Sequence, residues 1–239
     1  EGGSVEMVQS TFHRNVASRF GGGLNIKYAT SVRLAQSTFK ENALQGTPSA
    51  DAGSVVFGAG VYLAGMAKDC SSHSSCVIVI TNNSFVKNVA RDANVLFTCH
   101  GGGMYITSID AAALGGGPCT FENVLFRENV AWGHGGGLAV HDVTGPLVLM
   151  GLHIIGNRAS TEGGGMAITG ASTVDVFGGP IETHIEGNVA GVSEQRSSGW
   201  REITAVRGAH FSHDHSTQGV QMLNDKEVAA RASAKTLNE

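Results

Sequence analysis

Three groups of side chains in this sequence have the types that do chemistry. The segment "DCSSHSSC" holds Cys70, His73 and Cys76, and a separate "CH" supplies Cys99 and His100. Thiolates with imidazoles ligate zinc, whereas the same cysteines in an oxidising compartment close disulfides. The spacing fits no common zinc pattern and the setting is rich in serine. Cys70, Cys76, Cys99 and Cys119 are therefore read as candidates for disulfides or as free thiols, with no metal and no cofactor expected. Cys119 falls at an inward strand position, where a buried thiol is the plain expectation. "AHFSHDH" sets His210, His213 and His215 close enough to catch a transition metal, but in a polar segment that reads as an exposed tail. Acid–base work on a glycosidic bond needs paired carboxylates. Asp110, Asp142 and Asp175 lie seven, five and ten residues after the nearest glycine run, so they share no column, and no "DxD" pair occurs. No catalytic residue is assigned.

The elements that would position these groups are written as a repeat. Aligned on an asparagine, six phrases recur: "FHRNVA", "FKENAL", "FVKNVA", "FRENVA", "IIGNRA" and "IEGNVA". Their asparagines are Asn15, Asn42, Asn88, Asn129, Asn157 and Asn188, at spacings of 27, 46, 41, 28 and 31. The basic period is near 28, lengthened by insertions at 45–57 and 89–100, and a period of this size marks a solenoid or array. Five phrases are followed by a glycine word and an alternating run: "GGGLNI", "GAGVYL", "GGGMYI", "GGGLAV" and "GGGMAI". A second alternating run precedes the aromatic, as in Val5-Glu6-Met7 and Val32-Arg33-Leu34. Period two is the signature of a strand with one buried face, and no helical period runs through any repeat.

A unit of strands and turns this short cannot bury its own apolar face, but stacked on its neighbours it can. The expected fold is all-β: a right-handed parallel β-helix of about six coils over 1–190, on the order of 25–30 Å long. Phe12, Phe39, Phe85, Phe126, Ile154 and Ile185 would stack as an interior apolar column. The six asparagines would form an amide ladder at a corner, where asparagine tolerates left-handed backbone. Arg14, Glu41, Lys87 and Glu128 would alternate in sign up the stack. Gln9, Gln36, Asn82 and Asn123 would make a further amide column. Asn82 also begins the glycosylation sequon "NNS", and as a ladder member it is expected to be inaccessible and unmodified. Tyr62 and Tyr105 point outward from adjacent glycine-word strands, where exposed rings can stack on sugars or meet a partner.

Bulk composition narrows the classes. Of 239 residues, 41% are hydrophobic and 15% charged, which argues against disorder, and 34 glycines without a Gly-X-Y period exclude collagen. A net charge of -4 without a basic stripe argues against nucleic acid as a partner. No apolar run reaches the ~20 residues of a membrane span. The chain enters the repeat in mid-phrase, which reads as a piece of a longer chain.

The paired "GGGL/M-x-I/V" and "FxxN" words resemble the repeats of polymorphic outer membrane proteins and, more broadly, right-handed β-helices of the pectin-lyase-like fold. The resemblance covers roughly residues 1–190; Ile replaces Phe in the last two phrases and one glycine word is "GAG". It implies an extracellular or cell-surface rod, structural or adhesive, and carries no implication of an enzyme; a non-enzymatic module is the expectation. The loops at 45–57, 65–76, 89–100 and 107–118 would meet a protein or glycan at a cell surface or matrix. The rival reading is a polysaccharide lyase, hydrolase or epimerase of the same fold. A third is an architectural subunit of an external filament, with copies joined end to end. Residues 191–239 read as a cap or tail, with a strand near Ile203–Val206 and a short helix near 224–237 opened by Asn224 and Glu227. Trp200 would belong to that cap.

Overall fold

A computed structural model describes residues 3–45, 55–65, 77–91, 99–110, 119–144, 146–169, 173–177, 183–190, 203–206 and 210–213. Cys70, His73, Cys76, Trp200, His215 and the helix expected near 224–237 lie outside these residues, as does most of each long insertion.

The described residues are all strand and turn. The chain visits four parallel sheets in a fixed order and then begins again. Sheet I takes Ser4–Val8, Ser31–Ala35, Ile78–Thr81, Cys119–Glu122, Pro146–Met150, Thr173–Phe177 and His210–His213, neighbour on neighbour. Sheet II takes Thr11–His13, Thr38–Lys40, Ser84–Val86, Leu125–Arg127, His153–Ile155 and His184–Glu186. Sheet III is a line of two- and three-residue strands from Val16–Ala17 to Val189–Ala190. Sheet IV holds the glycine-word strands Leu24–Lys27, Val61–Ala64, Met104–Asp110, Leu138–Thr144 and Met166–Thr169, then Ile203–Val206. A short bridge pairs Val56–Phe57 with Cys99–His100 before sheet IV. Ile203–Val206 pairs with Met166–Thr169, and His210–His213 with Thr173–Val176, so the order continues past the last asparagine phrase. His210 and His213 thus lie in a strand and not in the exposed tail expected for them.

Each strand pairs with its equivalent one repeat away, so equivalent residues stand on one another. Val5, Val32, Ile78, Cys119 and Leu147 are partners in succession, as are Met7, Leu34, Ile80, Phe121 and Leu149. In sheet II, Phe12, Phe39, Phe85, Phe126, Ile154 and Ile185 form one column. Its rings lie nearly parallel with centroids 4.7, 4.9 and 4.9 Å apart. That is the spacing of the strands themselves, as register requires. Inward residues of sheets I, II and IV share one apolar cluster, in which Val5, Met7, Phe12 and Leu24 of the first repeat are only partly buried.

At the corner between sheets II and III the asparagines link in a directed chain. The backbone N–H and Nδ2 of Asn15 donate to Asn42 Oδ1 at 3.0 and 2.9 Å. Asn42 donates likewise to Asn88, Asn88 to Asn129, Asn129 to Asn157 and Asn157 to Asn188. From Asn42 onward the second Nδ2 hydrogen goes to the carbonyl of the column residue one repeat back, as from Asn129 to Phe85. All but Asn15 are buried, so the ladder removes polar atoms from water with their hydrogen bonds intact.

The left-handed residue at this corner is not the asparagine. It is the residue before it: Arg14, Glu41, Lys87, Glu128, Gly156 and Gly187, with φ of 55 to 64°. That geometry throws the charged side chain outward and leaves the next residue pointing in. Charges therefore do pair along the surface, Arg14 with Glu41 at 2.7 Å and Lys87 with Glu128 at 3.4 Å. The corner between sheets I and II repeats the device. Gln9, Gln36, Asn82, Asn123 and Gly151 are left-handed, and the residue after each turns inward. The expected amide column shrinks to one contact, Asn123 Nδ2 to Asn82 Oδ1 at 2.6 Å. The buried polar rungs are Ser37, Asn83 and Thr183: Ser37 N–H donates to Asn83 Oδ1, Asn83 Nδ2 donates to the Leu34 carbonyl, and Thr183 Oγ1 accepts the Leu152 N–H. Asn82 is exposed, which overturns its expected inaccessibility to a glycan.

The glycine words solve a different problem. Their first glycine is left-handed, φ 55 to 67°. Their later glycines face backbone: a Cβ on Gly102 would stand 2.4 Å from the Gly136 carbonyl oxygen and 2.5 Å from that of Val130.

Removing a central rung should cost far more than removing the first. Asn129→Ala strands the Asn88 donors, the Phe85 carbonyl and part of Asn157, and is expected to lose about 3 kcal/mol. Asn15→Ala forfeits one part-buried side-chain bond and should lose about 1 kcal/mol or less. Denaturant midpoints of the two variants check the ordering; equal losses would mean the ladder contributes nothing beyond a surface contact.

Candidate functional site

The outer face of sheet IV carries side chains unlike those of a plain solvated strand. Tyr62 and Tyr105 are register partners with rings 5.9 Å apart. They point out of the sheet, yet they are 7% and 6% exposed, not the open rings that alternation alone implies. The cover comes from the residue before each glycine word. Phe20, Phe57, His100 and His134 form a ring ladder of their own, with centroids 6.0, 5.6 and 4.9 Å apart. Phe57 leans onto Tyr105 at 4.3 Å and Phe20 onto Tyr62 at 4.9 Å. Lys27 places its ammonium 3.9 Å from the Phe20 centroid, a cation–π contact. The words "RFGGG", "VFGAG", "CHGGG" and "GHGGG" carried this signal, but it is legible only once the left-handed glycine is known to turn the preceding residue outward.

Two clefts flank this seam. One, of about 340 Å³, lies over Ala139 and Ala167, with His100, His134 and His141 around it. The other, of about 450 Å³, runs from Lys27 and Tyr28 past Ala64 to Asp110, Asp142 and Thr144. Sequence spacing separated Asp110 from Asp142, and in the ladder Asp110 does pair with Thr144 instead. Both nevertheless line this second cleft, because strands Met104–Asp110 and Leu138–Thr144 outrun their neighbours. Thr144 Oγ1 donates to Asp110 at 3.2 Å, and His141 Nε2 stands 3.1 Å from the Asp142 carboxylate. Asp175 belongs to sheet I, opposite Val148.

Burial fixes the proton state of the ring ladder. His100 accepts the His134 backbone N–H at Nδ1, so its proton sits on Nε2. Desolvation, with His134 and His141 adding to it, holds the His100 pKa down at about 3. His134 is also lowered by burial, which outweighs the carboxylate of Glu162 at 3.8 Å. Tyr105 is raised by the same burial. At neutral pH this wall presents uncharged rings.

The cysteines separate. Cys119 is a free thiol inside the main core, its pKa pushed up by burial. Cys99 is buried in a lateral cluster with Leu44, Val56, Ala59 and Ala90. The two do not bridge one another, and Cys119 is the buried thiol that its inward strand position implied; Cys70 and Cys76 lie outside the described residues. Among the described residues no group of three or more His, Cys, Asp or Glu is placed to hold a metal, and no helix is long and apolar enough to cross a membrane.

Compared with models of known protein families, with curated proteins and with solved structures, the chain gives no match. The resemblance to polymorphic outer membrane protein repeats thus stands on the repeated words alone.

The depressed histidines make stability depend on pH. The unfolded chain takes up protons below pH 6.5 while folded His100 stays neutral to about pH 3, so acidification favours unfolding. The carboxylate of Glu41, lowered to about 2 by Arg14 and His13, acts in the same direction only below its ordinary 4.5. Between pH 6.5 and 4.5 the loss should therefore follow the ring ladder. His100→Phe, which continues the Phe57 stack, is expected to flatten the fall in thermal midpoint over that window. An unaltered slope would show that His100 protonates freely in the fold.

Proposed function

We propose that the chain is a closed right-handed parallel β-helix that serves as a rigid structural or adhesive module outside the cell. The observation that carries the reading is the uninterrupted asparagine ladder from Asn15 to Asn188. Sheets visited in a fixed order, each strand one rung from its equivalent, support closure around the shared core. A scaffold so tied resists local opening and holds its outer residues at fixed spacing, which suits display better than motion. The repeated words, similar to those of surface-exposed outer membrane repeats, support the extracellular placement. The partner is a protein or glycan at a cell surface or matrix, met by the inserted loops and the outer face of sheet IV.

One observation favours a second reading, a polysaccharide-active enzyme: Asp110 and Asp142 line a single cleft. Incubation with a panel of uronate and neutral polysaccharides separates the two. Retained binding to cells or matrix without release of reducing ends or unsaturated products is the expected result. Turnover that disappears in Asp110→Asn or Asp142→Asn would replace the adhesive reading with the enzymatic one.

A further inference from the structure

We propose that the cleft between Tyr28 and Asp142 is a saccharide-binding site, selective for neutral or amino sugars over uronates. The proposal deepens the adhesive reading and rests on it for its setting.

Tyr28 is the odd residue of the molecule. It is 70% exposed and left-handed, φ 58°, a conformation that aromatic side chains seldom adopt. Both features cost free energy; the left-handed backbone is the corner's own, shared by Gly65, Ser108 and Asp142, while the surroundings hold the exposed ring in place. Here the surroundings are Gly65, the next residue in the same corner column. A Cβ at 65 would stand 2.7 Å from Tyr28 Cε1 and 2.8 Å from Cδ1, so the ring rests on bare backbone. Gly65 is itself left-handed, φ 65°. The result is an aromatic platform held from below and open above.

The same cleft continues into the next two repeats, where its lining changes character. Past Ala64 it is walled by Thr107, Ser108, Asp110, Asp142 and Thr144. These groups offer both hydroxyl donors and carboxylate acceptors. A pyranose has the matching halves: a flat C–H face for a ring, and hydroxyls that both donate and accept. A lysine or arginine side chain from a protein partner would donate to the carboxylates and hydroxyl oxygens but could accept nothing from the hydroxyl O–H groups. Lys27 lines the Tyr28 end of the cleft, but the two carboxylates outnumber it, so the lining as a whole opposes a uronate and suits an ammonium or acetamide group at the Asp110–Asp142 end. The volume of about 450 Å³ lies in the range of small-ligand sites.

Calorimetric titration with chitohexaose, cellohexaose, hexagalacturonate and a lysine hexamer tests the site. The expected result is saturable binding of one or both neutral or amino hexamers and at least tenfold weaker binding of hexagalacturonate. Tyr28→Gly keeps the left-handed backbone without the ring, so it should fold and lose binding at least tenfold. Tyr28→Trp should restore it, and Asp142→Asn should weaken it severalfold. Failure of every sugar to bind, or binding indifferent to Tyr28→Gly in a protein of unchanged circular dichroism, overturns the proposal. So does Tyr28-dependent binding of the lysine hexamer alone, which would make the cleft a peptide site. Adhesion of the same variants to cells and matrix is scored alongside. Adhesion without any sugar binding sinks the saccharide site and leaves the adhesive reading, whereas Tyr28-dependent sugar binding without adhesion sinks the latter and leaves the site.

Discussion

The structure depends on one constraint: equivalent residues of successive repeats must lie one strand spacing apart, along every sheet at once. The buried asparagine ladder enforces it from within. Each amide uses its oxygen for two donors of the preceding repeat and its nitrogen for two acceptors. A slip of one residue would turn the phenylalanines out to water and take each amide off its rung. Partly satisfied, such a network would be costlier than an apolar core. Fully satisfied, it locks register, and the ring stack of Phe12 to Phe126 follows at the same 4.7 to 4.9 Å.

Register has consequences at the surface too. Because the corner residue before each asparagine is left-handed, its side chain must leave the core, and stacking sets charges in line. Arg14 with Glu41 and Lys87 with Glu128 make favourable neighbours, though exposed pairs of this kind contribute little. On sheet IV the same logic produces something less ordinary. A left-handed glycine turns the preceding residue out, and four repeats place a ring there. Phe20, Phe57 and His100 cover two tyrosines, and burial keeps His100 and His134 neutral. The scaffold thereby builds a dry lateral wall on what would otherwise be a wet strand face.

Insertions and outrunning strands break the regularity. The core tolerates them because they depart at corners, where the ladder on either side remains intact. The strands Met104–Asp110 and Leu138–Thr144 extend three residues past Met166–Thr169, and that excess brings two carboxylates from different repeats to one cleft. What is individual in the surface lies in these departures, since the repeat itself is occupied with holding register.

Much of this was legible in the linear sequence. Period-two runs and six asparagine phrases implied parallel strands, the phenylalanine column and the amide ladder, because burial and register leave few alternatives for a short repeat without helices. Which corner residue is left-handed was also written there, in Gly156, Gly187 and Gly151, which occupy the positions that Arg14, Glu128 and Asn123 hold elsewhere. The exposure of Asn82 and the burial of Asn83 follow from that one turn. What only the tertiary structure decided is which outward residues stay outward. Tyr62 and Tyr105 obey alternation and are nevertheless covered, because Phe20, Phe57 and His100 reach over them from another part of the repeat. Asp110 and Asp142 share no column and nevertheless line one cleft. Sequence period reports which side of a strand a residue takes; it carries no information on what arrives from the neighbouring corner, and the candidate site is made of such arrivals.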